Sequence, residues 1–427
     1  MKYTITAPGS IHTRIVLPAS KSISNRALVI SALADSDILP ANLSCCDDTE
    51  VMVRALKSPS PLVEGGVPQS PEIIDIGAAG TAMRFLTAYF CVSAGEHVVT
   101  GTERMRHRPI GVLVDALRYL GAGVEYVGKE GFPPLLIRGG KLEGGHLEVP
   151  GNVSSQYISA LLMIGPVLEK GLELHLKGGI ASRPYIDLTL CMMKEYGADA
   201  EWTDVDTITV RPVPYRQREY QIESDWSASS YWYEIMALID DRESEGELVG
   251  LMDGSRQGDS VARYLSSTLG VKTAFVPRTE NTPAMVRLTR HVRTLPPLDY
   301  DFVTSPDLAQ TYVAACCALG IPFHFTGLAS LKIKETDRIE ALKTELRKLG
   351  FVVRDKAGRE LIWDGERCEP TGEPVDTYED HRMAMAFAPL AIKLGQIEIN
   401  NPQVVSKSYP AFWDDLRKAG FGVCCSL

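Results

Sequence analysis

Five glycines at nearly even spacing, Gly121, Gly197, Gly270, Gly350 and Gly420, limit most strongly how this chain can fold. Each follows an amphipathic segment with apolar residues at helical spacing and precedes a short apolar stretch: "IGVLVDALRYLGAGVEYV", "YIDLTLCMMKEYGADAEW", "GDSVARYLSSTLGVKTAF", "DRIEALKTELRKLGFVVR" and "YPAFWDDLRKAGFGV". Glycine just past a helix takes the left-handed conformation that ends it, and alternating residues beyond it read as a strand. A sixth segment, "DTEVMVRALKS", has the same helical spacing. The intervals between the glycines are 76, 73, 80 and 70 residues, so six units of about 71 residues fill the 427.

Each unit holds a second, earlier helix. These begin at "SKSISNRALVISALA", "AGTAMRFLTAYFCV", "SSQYISALLMIGPVL", "SASSYWYEIMALI", "SPDLAQTYVAACCALG" and "EDHRMAMAFAPLAIKLG". Their bodies are apolar all round, which predicts burial, whereas their starts carry Ser, Gly, Asp or His. Helix N-termini present free N–H groups and partial positive charge, so six such starts point to shared polar sites. Ser and Asp are also good helix caps, and at any single helix capping is the better explanation; six such starts in register point to function together with capping. Strands such as "LEVPG" and "TITVRP" make the units α/β, and six units divide as three and three, giving two similar domains.

Composition narrows the function. With 44 Lys and Arg against 54 Asp and Glu, the net charge is −10, which argues against nucleic acid as a partner. Any anion bound must meet a local concentration of positive charge. The start "MKYTITAPGSIHTR" has no apolar core region of a secretory leader, and no stretch reaches the length of a membrane span. Nine cysteines, including Cys45-Cys46, Cys316-Cys317 and Cys424-Cys425, show no zinc-ligand spacing and suit buried thiols in a reducing cytoplasm.

The polar residues at the helix starts form a consistent inventory. In "LPASKSISNRALVIS", Ser22 and Arg26 share a helix face and Lys21 sits at the helix start, where a cation opposes the dipole and calls for an anion. "GAAGTAMR" places Gly80 in a turn entering a helix, and "GTERMRHRPIG" puts Arg104, Arg106 and Arg108 before another. Arg108, beside Pro109, is the best placed of the three for a carboxylate or phosphate fork. "GNVSSQ" offers Ser154, Ser155 and Gln156, and "ASRPYIDL" adds Ser182, Arg183 and Tyr185. "TSPDLAQT" sets Asp307 at a buried helix start, as base, ligand orienter or cap. "KIKETDRIEAL" gathers Lys334, Glu335, Asp337 and Arg338, which also reads as a solvated charged turn. "YEDHRMAMAFAPLA" sets Asp380, His381 and Arg382 against an apolar helix, where charges need partners, and "VSKSYPAFW" adds Lys407. There is no metal-ligand spacing, phosphate-loop motif or dinucleotide fingerprint. Several cations, a Ser/Gln set and isolated carboxylates suit polyanionic small molecules handled by acid–base chemistry without a cofactor.

In order and over essentially the whole chain, "LPASKSISNRAL", "AGTAMR", "RMRHRPIG", "GNVSSQ", "SRPYID", "KIKETDR", "EDHRMAMAFA" and "SKSYP" resemble the 5-enolpyruvylshikimate-3-phosphate synthase family of enolpyruvyl transferases. The resemblance implies an α/β (α+β) fold of two similar domains. Each has three βαβαββ-type units in an inverted α/β-barrel-like arrangement, and a two-stranded hinge near Pro18–Ser20 and Ser224–Trp226 joins them. It places one domain over residues 21–224 and the other over 1–20 plus 225–427. It implies transfer of the enolpyruvyl group of phosphoenolpyruvate to the 5-hydroxyl of shikimate 3-phosphate by a cytoplasmic monomer with no cofactor, no metal and no nucleic-acid or membrane partner.

By matching motif, Lys21, Ser22, Arg26, Ser154, Ser155, Gln156, Ser182, Tyr185, Asp307 and Lys334 are implied to bind shikimate 3-phosphate. Lys21, Gly80, Arg108, Gln156, Arg338, Arg382 and Lys407 are implied to bind phosphoenolpyruvate. Asp307 is implied to be the base and Glu335 the acid, with Lys21 as a third catalytic group. The sequence departs from the family pattern at Ala78, Phe85 and Ser330 and in the irregular stretch Ser58–Glu72. The related UDP-N-acetylglucosamine enolpyruvyl transferases carry a Cys before their Arg-Pro, which "GTERMRHRP" lacks. A non-catalytic anion-binding relative would have no need of both Asp307 and Glu335.

Overall fold

The computed structural model describes residues 1–57, 71–279, 282–292 and 297–426; of the irregular stretch 58–72 only Pro71 and Glu72 fall within them. The chain divides into two compact units, Ser20–Ile222 and Met1–Ala19 with Glu223–Leu427.

In the first unit, strand Glu72–Asp75 runs parallel to Gly95–Thr100, with the buried helix Gly80–Val92 between them in sequence. Leu135–Gly139 adds antiparallel to Gly95–Thr100, and Gly123–Tyr126 pairs outside it. The next repeat copies this plan strand for strand: Gly145–Pro150, Leu172–Lys177, Thr207–Val210 and Ala200–Trp202, with helix Ser155–Ile164 after the first strand. Helix Lys21–Leu33 heads the remaining repeat, and these three buried helices pack on one another. That repeat is reduced. It keeps a second helix, Asp47–Lys57, but among the described residues its sheet is one parallel bridge between Ala41 and Gln221. Pro40 has no N–H to donate and Asn42 is left-handed (φ 59°), so a longer strand cannot form around Ala41.

The second unit repeats the plan three times. One sheet has the order Leu298–Asp301, Phe323–Thr326, Glu360–Trp363, Arg354–Lys356, with Ala309–Leu319 as its buried helix. In the next, the place of the first strand is taken by His12–Val16, parallel to Glu245–Val249, and helix Trp226–Leu238 is the buried one. In the last, Lys2–Thr6 closes the sheet between Gln396–Asn400 and Gly422–Ser426, antiparallel to both, beside helix His381–Phe387.

The punctuating glycines do what their spacing predicts. Gly121, Gly197, Gly270, Gly350 and Gly420 all lie at φ between 87° and 98°. Each donates its N–H to the carbonyl three residues back, and the residue after Gly121, Gly197, Gly350 and Gly420 donates to the carbonyl five back. This paired closure satisfies the last carbonyls of the outer helices and turns the chain into the next strand.

Candidate active site

In the unit 20–222, helix Lys21–Leu33 starts at Ser20, whose hydroxyl accepts from the Ile23 N–H. The anion that Lys21 calls for is supplied by the chain itself: its Nζ lies 3.1 Å from Asp48, and both side chains are largely buried. Nothing in the local pattern marks Asp48, because the pair joins the first turns of two different helices. Arg26 is buried, and its four hydrogen-bond partners are neutral: Thr189 Oγ1 (2.7 Å), the Ser22 carbonyl (2.9 Å), Ser159 Oγ (3.1 Å) and the Tyr185 carbonyl (3.4 Å). Its guanidinium lies 5.3 Å from the centre of the Phe85 ring, so the residue that departs from the family pattern packs on this cation. Burial pushes the Arg26 pKa down to about 10, against a smaller opposing pull from Tyr185, so it stays charged at neutral pH.

Helix Ser155–Ile164 is capped by Ser154, which accepts from the Gln156 N–H, so Ser154 serves the capping role that sequence had left open. The Gln156 amide reaches Thr81 Oγ1 at 3.2 Å, which brings the third buried helix to the start of the second. There the bare Gly80 leaves room for the Arg108 guanidinium: a β-carbon on it would lie 2.5 Å from Arg108 Nη1. Buried Arg84 donates to the carbonyls of Gly80 and Pro109, and Tyr157 donates to the same Pro109 carbonyl at 2.5 Å. Arg84 and Tyr157, which carry no local sequence signal, fix the backbone next to Arg108. Of the other arginines in its loop, Arg106 folds back on the Gly101 carbonyl. Ser182 and Tyr185 begin helix Arg183–Glu195, and Ser182 sits in the left-handed region (φ 54°), a strained conformation for a residue with a side chain. Arg183 lies over the Trp202 ring instead of joining the set.

The second unit concentrates its charges. Arg338, the first residue of helix Arg338–Lys348, is buried and surrounded by carboxylates. Its Nε and Nη2 bind Asp380 (2.6 and 3.3 Å), its Nη1 binds Asp307 (2.8 Å), and its Nη2 also binds Glu335 (2.8 Å). Asp307 further meets Lys334 at 3.4 Å and Arg382 at 3.1 Å. Fully buried Asp380 caps helix His381–Phe387 through the Arg382 N–H, which fixes it against Arg338. Lys407 donates to the Glu379 carbonyl at 2.8 Å, and Tyr378 and Glu379 are both left-handed (φ 52° and 56°), so strained backbone presents that carbonyl. Burial opposes ionisation of Asp307, but Arg382, Lys334 and Arg338 outweigh it and hold the carboxyl well below the usual range. Burial likewise disfavours the Arg338 charge, and Asp380, Glu335 and Asp307 overcome it, raising its pKa further.

Asp307, Lys334, Glu335, Arg338 and Arg382, marked from three separate motifs, thus form one cluster. Asp380 belongs with them through Arg338 and was not assigned a role from sequence. Among the described residues no group of His, Cys, Asp and Glu side chains could hold a metal ion, and no helix is long and apolar enough to cross a membrane.

Comparison with known proteins agrees over the full length. Residues 5–416 match the family model described as EPSP synthase (3-phosphoshikimate 1-carboxyvinyltransferase). A 3-phosphoshikimate 1-carboxyvinyltransferase of Bacteroides fragilis is 58% identical, covering 99% of each chain. One from Photobacterium profundum is 35% identical over 97% of this chain and 98% of its own. A solved EPSP synthase from Acinetobacter baumannii superposes with a TM-score of 0.75 at 20% identity, covering 99% of this chain and all of its own, which supports the shared fold.

Proposed function

The chain belongs to the EPSP synthase family, and we infer from that premise how its residues divide the reaction between them. It is an enolpyruvyl transferase of the shikimate pathway: the enolpyruvyl group of phosphoenolpyruvate passes to the 5-hydroxyl of shikimate 3-phosphate and inorganic phosphate leaves.

In the unit 20–222, Lys21, Ser22, Arg26, Ser154, Ser155, Gln156, Ser182 and Tyr185 take shikimate 3-phosphate, and Lys21, Gly80, Arg108 and Gln156 take phosphoenolpyruvate. In the other unit, Lys334 and Asp307 serve the first substrate and Arg338, Arg382 and Lys407 the second. Asp307 accepts the hydroxyl proton while Glu335 protonates the methylene carbon. The resulting tetrahedral intermediate eliminates phosphate as Glu335 takes its proton back. The observation that carries this assignment is Arg338, whose guanidinium holds the base on one terminal nitrogen and the acid on the other. Its four hydrogen bonds among the described residues all go to carboxylates.

The ion pairs also suggest why the sites stand ready. Lys21 leans on Asp48, and Arg382 and Lys334 lean on Asp307. An arriving phosphate or carboxylate competes with these side chains for cations that are already in place. We also read the enzyme as a cytoplasmic monomer, in keeping with nine free cysteines. Phosphate release from phosphoenolpyruvate should depend strictly on shikimate 3-phosphate; no release with both substrates saturating overturns the reading.

A further inference from the structure

Glu345 has no part in the assignments above, yet it is fully buried and lies two turns along helix Arg338–Lys348 from Arg338, on the same face. Its Oε1 accepts from the Tyr378 hydroxyl at 2.5 Å. Its Oε2 accepts from the Asp376 N–H at 3.0 Å and lies 2.9 Å from Lys348 Nζ. Lys348 also reaches one oxygen of Asp376 at 2.8 Å, and the Asn400 amide reaches the other at 2.8 Å. At the start of the same helix, Arg338 holds Asp380 by two hydrogen bonds. One helix face thus grips the segment Asp376–Asp380 at both ends.

Between those grips the backbone takes a shape that needs support. The Asp380 N–H donates to the Thr377 carbonyl at 2.8 Å and closes a tight turn. The two residues inside it, Tyr378 and Glu379, are the left-handed pair described above. Neither is glycine, and such a conformation persists only where its surroundings over-determine it. What the turn achieves is the direction of the Glu379 carbonyl, which accepts from Lys407 Nζ at 2.8 Å. Tyr378 ties the inside of the turn to the helix, and Asp380 ties its end.

We propose that Glu345 and Tyr378 are positioning residues for phosphoenolpyruvate: by pinning the left-handed turn Thr377–Asp380 they aim the Glu379 carbonyl, and that carbonyl sets where the Lys407 ammonium stands. Lysine carries its charge on a flexible four-carbon stem, so its place is decided by its acceptor more than by its own backbone. Helix Arg338–Lys348 then places two of the cations assigned to this substrate, Arg338 directly and Lys407 through the turn. Phenylalanine at position 378 would keep the ring, lose the tie and leave a buried carboxylate oxygen without that donor.

The inference depends on Lys407 serving phosphoenolpyruvate, so the experiment includes Lys407 itself. Tyr378→Phe removes one oxygen from a side chain that is 38% exposed, and the fold survives it. Steady-state kinetics should show KM for phosphoenolpyruvate raised about tenfold, the effect of losing one hydrogen bond to a charged group. KM for shikimate 3-phosphate should stay within about twofold and kcat within about threefold, a split that general loosening of the unit would not produce. In a Lys407→Ala background, Tyr378→Phe should change KM for phosphoenolpyruvate by less than about twofold, because both act on one ammonium. An unchanged KM for phosphoenolpyruvate in Tyr378→Phe, an equal rise in both KM values, or effects that multiply in the double variant overturns the proposal. Lys407→Ala alone decides what falls with it. If it leaves KM for phosphoenolpyruvate unchanged, the assignment of Lys407 fails too; if it raises that KM while Tyr378→Phe does not, the failure is confined to Glu345 and Tyr378.

Discussion

Gly80→Ala tests the anion site proposed for the unit 20–222 with a single carbon. A β-carbon at Gly80 would stand 2.5 Å from Arg108 Nη1, 2.9 Å from Cζ and 3.0 Å from Nη2. Ordinary contact begins near 3.4 Å, so the planar group must retreat as a body by about 1 Å. The obstacle is the far end of a flexible side chain, and Gly80 is not left-handed, so the helix itself loses nothing. Alanine in a helix is favoured over glycine by up to about 1 kcal/mol, so thermal stability should hold or rise slightly. The function should not hold, because a displacement of about 1 Å at a binding group can cost around 100-fold. The expected result is a KM for phosphoenolpyruvate raised about 10- to 100-fold, with KM for shikimate 3-phosphate within about twofold. Steady-state kinetics with each substrate varied against a saturating partner, alongside thermal unfolding, reads both quantities. In a double-mutant cycle Gly80→Ala should add little on top of Arg108→Ala, since both act on one guanidinium. An unchanged KM for phosphoenolpyruvate, or fully additive effects, would refute the reasoning.

Glu335→Gln keeps the shape of the proposed acid and removes its proton traffic: turnover should fall by about 100-fold or more, while shikimate 3-phosphate binding measured calorimetrically stays within a few-fold. Asp380→Ala strips a fully buried partner from Arg338 and should cost about 3 kcal/mol or more in denaturant titration; a loss under about 1 kcal/mol means Asp307 and Glu335 suffice to hold the arginine. Glu234 is buried in the apolar helix Trp226–Leu238 with neither carboxyl oxygen hydrogen-bonded, and burial raises its pKa well above the usual value. Its folded pKa is raised, so its contribution to stability is intact below about pH 4.5 and is lost as pH climbs towards the folded pKa. Glu234→Met should therefore be more stable than wild type at pH 8, with the advantage shrinking towards pH 4.5; an advantage independent of pH would point to packing instead.

How much of this was legible in sequence follows from the range of each interaction. The outer helices and their glycines are closed by hydrogen bonds spanning three to five residues, so a repeat written in those glycines could be read directly. The buried helices were legible because their apolar bodies leave no polar face. The cations proposed to bind substrate stood out because Lys21, Arg108, Arg338 and Arg382 sit at or just before helix starts, where ordinary filler is acidic or capping. Their counterions were not legible: Asp48 meets Lys21 across 27 positions and Asp380 meets Arg338 across 42, and no local pattern encodes a partner that distant. The reduced sheet at Ala41 was hidden because the helices of that repeat keep the common pattern while its strand does not.

The strand Lys2–Thr6 carries a consequence for synthesis. It is made long before its two neighbours, Gln396–Asn400 and Gly422–Ser426. At roughly 5–20 residues per second, about 20 to 80 s separate the strand from the first of those partners. His12–Val16 waits in the same way for Glu245–Val249. The whole of residues 20–222 is translated within that interval and needs neither strand. Residues 20–222 can thus be finished on the ribosome while Lys2–Thr6 and His12–Val16 still await their partners, available to chaperones in the meantime.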